Sequence, residues 1–365
     1  MSFARIVAAA LVATTCAWGQ SDSPNNLLPD WLPTERSSAQ IYAGSDRCIG
    51  CHAEQSSALT TAMGDALHRA SESDFLPGRV LTFENGKYRY RLADGAYRVT
   101  DGESAIESPI LWSFGHGKAG QTYILERDGR LYESRVSYYL SIDGLDQTLG
   151  APIGDVPRNL EEAFGREMTP DDVRGCFGCH ATGAVVDGRP ELDRLTPGLQ
   201  CEGCHGPGTE HLQAVADAQL DDLRIESLSG MGAEQESDFC GSCHRTWSQV
   251  VLMGLQGPAN VRFQPYRLAN SRCYDVDDPR IRCSACHDPH EDPVQEPSYY
   301  DSKCLACHEG GEEAEVGSAV TAPACPESSV ECSRCHMPEV EIPGSHFHFT
   351  DHQIRVVEPG APYPD

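Results

Sequence analysis

The chain has 365 residues, with 28 basic against 55 acidic side chains and a net charge of −27. That balance excludes the basic patch on which nucleic-acid binding depends. The length allows about two domains, and nothing after residue 20 approaches the roughly 20 apolar residues that cross a bilayer as a helix.

The first residues, MSFARIVAAALVATTCAWGQ, have the layout of an export signal. Arg5 supplies the charge, Ile6–Trp18 the short apolar stretch, and Ala17-x-Gly19 a small-residue cleavage site. The expectation is removal of 1–19, Cys16 included, and a mature chain that is periplasmic or extracellular, where disulfides are permitted. Residues 20–45 read as a polar, proline-bearing arm. After CIGCH at 48–52 comes AEQSSALTTAMGDALHRA, whose alanines and lack of breakers predict a helix. RVLTFENGKYRYRLADGAYRVTDG then splits into strand-like runs at Asn85-Gly86 and Asp94-Gly95. TYILERDGRLYESRVSYY splits likewise at Asp128-Gly129. These dipeptides favour hairpins, so 75–140 is expected to be β-rich within a module spanning 20–165. From 166 to 365 the texture is rich in Gly and Pro, with short helical stretches such as TEHLQAVADAQLDDL.

The run at 48–52 has six relatives: CFGCH at 176–180, CEGCH at 201–205, CGSCH at 240–244, CSACH at 283–287, CLACH at 304–308 and CSRCH at 332–336. Together they use 14 of the 17 cysteines. A disulfide framework gives no reason for a histidine after every pair. A zinc ribbon uses paired cysteines but has no need of His at the fifth position each time. Covalent haem explains all of it. Cys48, Cys51, Cys176, Cys179, Cys201, Cys204, Cys240, Cys243, Cys283, Cys286, Cys304, Cys307, Cys332 and Cys335 would form thioethers to the vinyl groups. His52, His180, His205, His244, His287, His308 and His336 would be the proximal iron ligands. The expected cofactors are seven haem c groups. The fold expected around them is mixed and low in regular structure: a β-rich N-terminal module carrying one haem, then a haem-packed C-terminal domain of short helices and loops. With little room for an apolar core there, the haems must supply buried surface, and that region should not fold without them.

Seven histidines remain for the distal faces: His68, His116, His211, His290, His346, His348 and His352. His290 follows its motif by three residues. At no more than about 3.6 Å of chain per residue it cannot round the macrocycle to the far face of its own haem, so it should reach a neighbour's iron. His211, after the Gly206-Pro207-Gly208 turn, invites the same reading. His68 could return to the first haem, with Met63 as competitor. His116 sits between glycines that admit a close approach, either as a ligand or as a loop histidine. In HFHFTDH, His346 and His348 would share a face if extended, leaving one a bystander, whereas His352 stands apart. Cys273 and Cys325 are a candidate disulfide, or two free thiols.

SxCxxCHDPH, CExCHGPG-x-x-H and the closing CSRCHMP…FTDH resemble the multihaem cytochrome c superfamily over roughly residues 170–355. That group includes the tetrahaem cytochrome of ammonia oxidisers, pentahaem nitrite reductase, hydroxylamine oxidoreductase and octahaem tetrathionate reductase. The first 165 residues, with WSFGHGKAGQTYILE, look more like exported bacterial multihaem cytochromes. The resemblance implies distal ligation by His211, His290 and His352 and haems stacked in close pairs. No CxxCK marks an open haem of the nitrite reductase kind, and nothing in the sequence sets Tyr138 or Tyr139 near iron as hydroxylamine oxidoreductase would require. The expectation is therefore electron relay, to redox partner proteins or an extracellular acceptor, through mostly bis-His low-spin haems of low and spread potential. The alternatives are a reductase with one open haem acting on a small nitrogen or sulfur compound, and a subunit of a conducting homopolymer.

Overall fold

Asp94-Gly95 and Asp128-Gly129 each reverse the chain in two residues, with φ of +52° and +75° in the first turn and +52° and +73° in the second. Left-handed geometry at both positions is what the right-handed twist of a two-residue hairpin needs. The computed structural model describes residues 35–72, 78–151, 154–308, 325, 327–358 and 360–364. The expected export signal and most of the arm lie outside them. β1 (Glu35–Arg36) runs parallel to Val185–Val186. The hairpins belong to one antiparallel sheet built from β2 (Leu67–Arg69), β3 (Val80–Asn85), β4 (Tyr88–Ala93), β5 (Ala96–Thr100), β6 (Ala105–Phe114), β7 (Thr122–Arg127) and β8 (Arg130–Ser134). β9 (Val136–Tyr139) and β10 (Gly144–Gln147) pair as a separate ribbon, and β11 (Gly165–Glu167) adds to the sheet edge beside β8. The order across the sheet is β11-β8-β7-β6-β5-β4-β3, with β2 also on β6. A register shift between Ile110 and Trp112 divides β6. Its first half pairs with β5 and its second with β2.

Strand alternation sorts the two faces. Tyr88, Tyr90, Leu92, Tyr97 and Val99 point into one core together with Phe164 of the helix Leu160–Phe164. On the other face Leu67, Trp112 and Ile124 pack against Val173 and Phe177 of the helix Pro170–His180. That helix starts on a capping box: the Asp172 amide donates to Thr169 Oγ1 (3.1 Å) and the Thr169 amide to Asp172 Oδ2 (2.9 Å), with Pro170 in the first turn. Two orphan donors are thereby satisfied. The second motif, CFGCH, is thus built directly onto the sheet.

One expectation is corrected. Residues 53–70 do not form a single α-helix; Ala53–Thr60 is a 3-10 stretch, and Leu67–Arg69 is β2. Leu67 is buried opposite Phe114, and tertiary packing of this kind overrides local propensity. Beyond residue 200 the chain forms short helices, mostly at motifs. The buried apolar side chains among the described residues there reduce to Ala214, Ala233, Val250, Val261 and Ile342.

Candidate haem sites

A CxxCH run wound as a helical turn puts both sulfurs and the imidazole on one side, because positions i, i+3 and i+4 share a face. Helices Cys201–His205 and Cys332–His336 coincide with their motifs, and the second, fourth and sixth motifs end the longer helices Pro170–His180, Ala233–His244 and Asp301–His308. The fifth is the turn Cys283–Cys286. In the first, the helix Ser45–Ile49 is extended by the bond from the His52 amide to the Cys48 carbonyl (2.9 Å).

The hydrogen bonds of the imidazoles settle which nitrogen is available. Nδ1 donates to a backbone carbonyl in His180 (Ala66, 3.2 Å), His205 (Glu226, 3.0 Å), His211 (Leu223, 2.8 Å), His336 (Arg355, 2.9 Å) and His352 (Thr350, 3.0 Å). A carbonyl can only accept, so Nδ1 carries the proton and Nε2 keeps its lone pair. In His290 the partner of Nδ1 is the Asp288 carboxylate at 3.1 Å. Burial lowers the imidazole pKa of His180, His244 and His287 and pushes His352 down to about 4. These rings are therefore held neutral, the form that ligates a metal.

Three of these imidazoles face a second one. His52 and His211 have ring centroids 6.4 Å apart, His205 and His290 6.2 Å with planes at 1°, and His287 and His352 6.1 Å. Two imidazoles bound to one metal at about 2 Å each leave their centroids roughly 6 Å apart. None of the three pairs lies within one motif. His290 faces the third motif rather than its own fifth, His211 the first rather than the third, and His352 of the tail the fifth.

The other expected distal ligands sit differently. His68 is on β2 opposite Ser113, with Nε2 3.4 Å from Asp65, so His211 and not His68 faces the first motif's imidazole. His346 has its Nε2 committed to Asp146 at 2.8 Å and its ring edge-on to Tyr139 at 4.9 Å. It fastens the tail to the β10 ribbon. His348 is exposed, 3.9 Å from Glu341 across a short hairpin. His116 is half-buried between Gly115 and Gly117, which have φ of +74° and +91°. Met63 gives its backbone carbonyl to the Leu199 amide. Tyr138 and Tyr139 are buried, their hydroxyls donating to Asp143 and to the Gln147 carbonyl.

The donor set suits haem. Among the described residues no three side chains of His, Cys, Asp or Glu converge on a place for a bare metal ion. The imidazoles meet in twos, which is the number a macrocycle leaves to the protein. Cys273 and Cys325, which no motif uses, are both exposed. Burial, acting before neighbouring groups, pushes Cys204 up to about 11 and Cys176 and Cys304 up to about 12.

Thiols of different motifs also touch: Cys48 with Cys201, Cys179 with Cys243, Cys240 with Cys283, and Cys304 with Cys332. Sequence reasoning missed two features that hold this arrangement. The carbonyls of Leu223 and Glu226, on the segment after the helix Thr209–Ala216, fix both His211 and His205. The helix Gln264–Ala269 supplies Arg267 to the tail that carries His352. Neither has a local signature.

Residues 158–206 match the family model for cytochrome c554 and c-prime. Over 198 residues the chain is 27% identical to the multiheme cytochrome MtrA of Shewanella baltica, covering 50% of this chain and 51% of the relative. The chain thus spans about half the length of the curated relative it matches. No solved structure matches.

Proposed function

Taking the chain as a multihaem cytochrome c, which the family match and the relative both support, we propose that it binds seven haem c groups and relays electrons between them. The observation that carries this reading is the set of three facing imidazole pairs, each joining separate motifs. In it, His211 serves the first motif, His290 the third and His352 the fifth as distal ligands. When bound, haem c supplies a one-electron ferric/ferrous couple.

The chain's own part is binding and orientation. The cysteine pairs tether, the motif imidazoles ligate, and the carbonyls behind Nδ1 hold each ring in one tautomer and raise its basicity. Contact between thiols of neighbouring motifs keeps the sites close enough to pass an electron without a diffusing carrier. Bis-imidazole ligation in a strongly acidic chain favours the ferric state, so low and spread potentials follow. The division into a one-haem module over 20–165 and a six-haem region over 166–365, export after removal of 1–19, and delivery to a redox protein or an extracellular acceptor belong to the same proposal.

Intact mass together with electron paramagnetic resonance of the oxidised protein tests it. The expected result is the mass of seven haems and low-spin ferric signals alone. A high-spin signal equal to one haem in seven would replace relay with an enzyme that keeps an open iron.

A further inference from the structure

Three motif helices begin against a carboxylate that belongs to another motif. Glu202, the second residue of the third motif and 3% exposed, accepts the amides of Ala43 (2.6 Å) and Gly44 (2.8 Å), just ahead of the first motif's helix Ser45–Ile49. Glu236, on the fourth motif's helix and 8% exposed, accepts the Ser284 amide (2.6 Å) and hydroxyl (2.8 Å) in the fifth. Asp301, the first residue of the sixth motif's helix and 7% exposed, accepts the amides of Glu331 (2.8 Å) and Cys332 (2.9 Å) at the start of the seventh. Each junction coincides with a thiol contact: Cys48 with Cys201, Cys240 with Cys283, Cys304 with Cys332.

We propose that Glu202, Glu236 and Asp301 are positioning residues that lock the haem-binding motifs into three pairs, first with third, fourth with fifth and sixth with seventh.

The first amides of any helix lack internal partners, and a capping side chain normally comes from the residue just before the helix. Here Glu236 and Asp301, from the helices of other motifs, take amides of the first turn, and Glu202 takes the two amides that lead into the first motif's helix. Fixing the start of one helix and docking it on its neighbour are therefore the same interaction. Helices of four or five residues cannot stand alone and take their position from whatever holds their first turn. The second motif shows the contrast. Its thiol contact is with the fourth motif, but its helix is capped by its own Thr169 and Asp172 and placed by the sheet. A buried carboxylate at the junction of two haem-binding motifs would also favour the ferric state of any haem held there, although Arg282 at 3.5 Å offsets part of the charge of Glu236.

The proposal rests on the reading that the motifs carry haem. Its test uses the full, haem-loaded chain with Glu202→Gln, Glu236→Gln and Asp301→Asn, and with Glu234→Gln as control, an exposed carboxylate on the same helix as Glu236. Intact mass counts haems, and potentiometric titration followed by electron paramagnetic resonance reads each couple. Each junction variant should keep seven haems and raise the potentials of two, shifting their ferric/ferrous ratio about tenfold, or 59 mV for one electron. Glu234→Gln should shift far less. Unchanged potentials, an equal shift in the control, or a shift spread over all seven haems would overturn the proposal. Should Glu236→Gln fail to load, Ser284→Ala removes a bond and keeps the charge. It should alter the spectra of the fourth and fifth haems alone, and an unaltered spectrum overturns the fourth–fifth junction. Fewer than seven haems on the unmodified chain would instead sink the underlying haem reading.

Discussion

Arg267 and Asp351 form a two-pronged ion pair from which solvent is excluded, Nε to Oδ1 at 2.8 Å and Nη2 to Oδ2 at 2.9 Å, with side chains 1% and 0% exposed. Arg267 also donates to Gln353 Oε1 and the Pro364 carbonyl and lies over the Tyr363 ring, while Arg355 donates to Asp351 as well. The cluster ties the tail to the helix Gln264–Ala269 on both sides of His352. Without Arg267 the buried Asp351 keeps only the Arg355 guanidinium, so the loss should approach, without reaching, the roughly 3–5 kcal/mol of a wholly broken buried pair. Arg267→Met should therefore lower stability and also release His352, so that one haem in seven turns high-spin. His352→Gly should give the same high-spin signal without the stability loss. Chemical denaturation alongside electron paramagnetic resonance checks both.

The facing of His205 and His290 makes a sharper statement. His290→Ala should turn the haem on Cys201 and Cys204 high-spin and leave the one on Cys283 and Cys286 unchanged. In a chain already lacking the third haem through Cys201→Ser and Cys204→Ser, the same substitution should add no high-spin signal at all. If it still does, His290 serves another iron.

How much of this was legible in the sequence follows from how local each feature is. The hairpins at Asp94-Gly95 and Asp128-Gly129 were, because a two-residue turn is specified by its own dihedral demands. So were the motifs, whose chemistry is complete within five residues. That His290 would turn to a motif other than its own followed from chain reach, but which motif did not, because His205 meets it only through the path of the intervening helices. Arg267 carries no mark that it would be buried against Asp351. His346 looked equivalent to His348 in an extended tail until φ of +52° turned it onto Asp146. The alanine-rich run after the first motif failed as a helix because Leu67 gains more by packing opposite Phe114.

Close packing between Gly198, just ahead of the third motif, and Gly64 gives another measurement. Gly198 has φ of +72°, and a Cβ there would lie 1.8 Å from the Gly64 carbonyl oxygen. Gly198→Ala should cost at least about 1–3 kcal/mol through overpacking, besides the strain of the left-handed backbone. The same change at Gly129, in the open turn of its hairpin with nothing within 4 Å, should cost only the backbone strain. Comparing denaturation midpoints of the two variants separates the terms.

The capping box of the second motif predicts a pH dependence. Burial raises the Asp172 pKa, but hydrogen bonds from Thr169 and the Arg166 guanidinium outweigh it and leave the value lowered. A carboxyl whose folded pKa lies below its unfolded value, about 3.9, stabilises fully above that value. It loses the contribution as pH falls through the folded pKa. Asp172→Ala should cost about 1 kcal/mol at neutral pH, and the gap from the unmodified chain should close in strong acid. A gap that stays constant from neutral to acid pH would mean that the carboxylate is not the cap.

Haem removal should divide the chain. The sheet has its own apolar faces, with Tyr88, Tyr97, Tyr123 and Phe164 all essentially unexposed. Beyond residue 200 the five buried apolar side chains of the described residues bury far too little to offset an ordering cost of roughly 1–2 kcal/mol per residue. Chain produced without haem attachment should keep a protease-resistant core over the sheet and the helix Pro170–His180. The region beyond 200 should be cut readily, at sites that resist in the loaded protein. Mass mapping of the fragments reads this directly. Equal protection of both regions without haem would mean that the C-terminal chain has a source of stability other than the macrocycles.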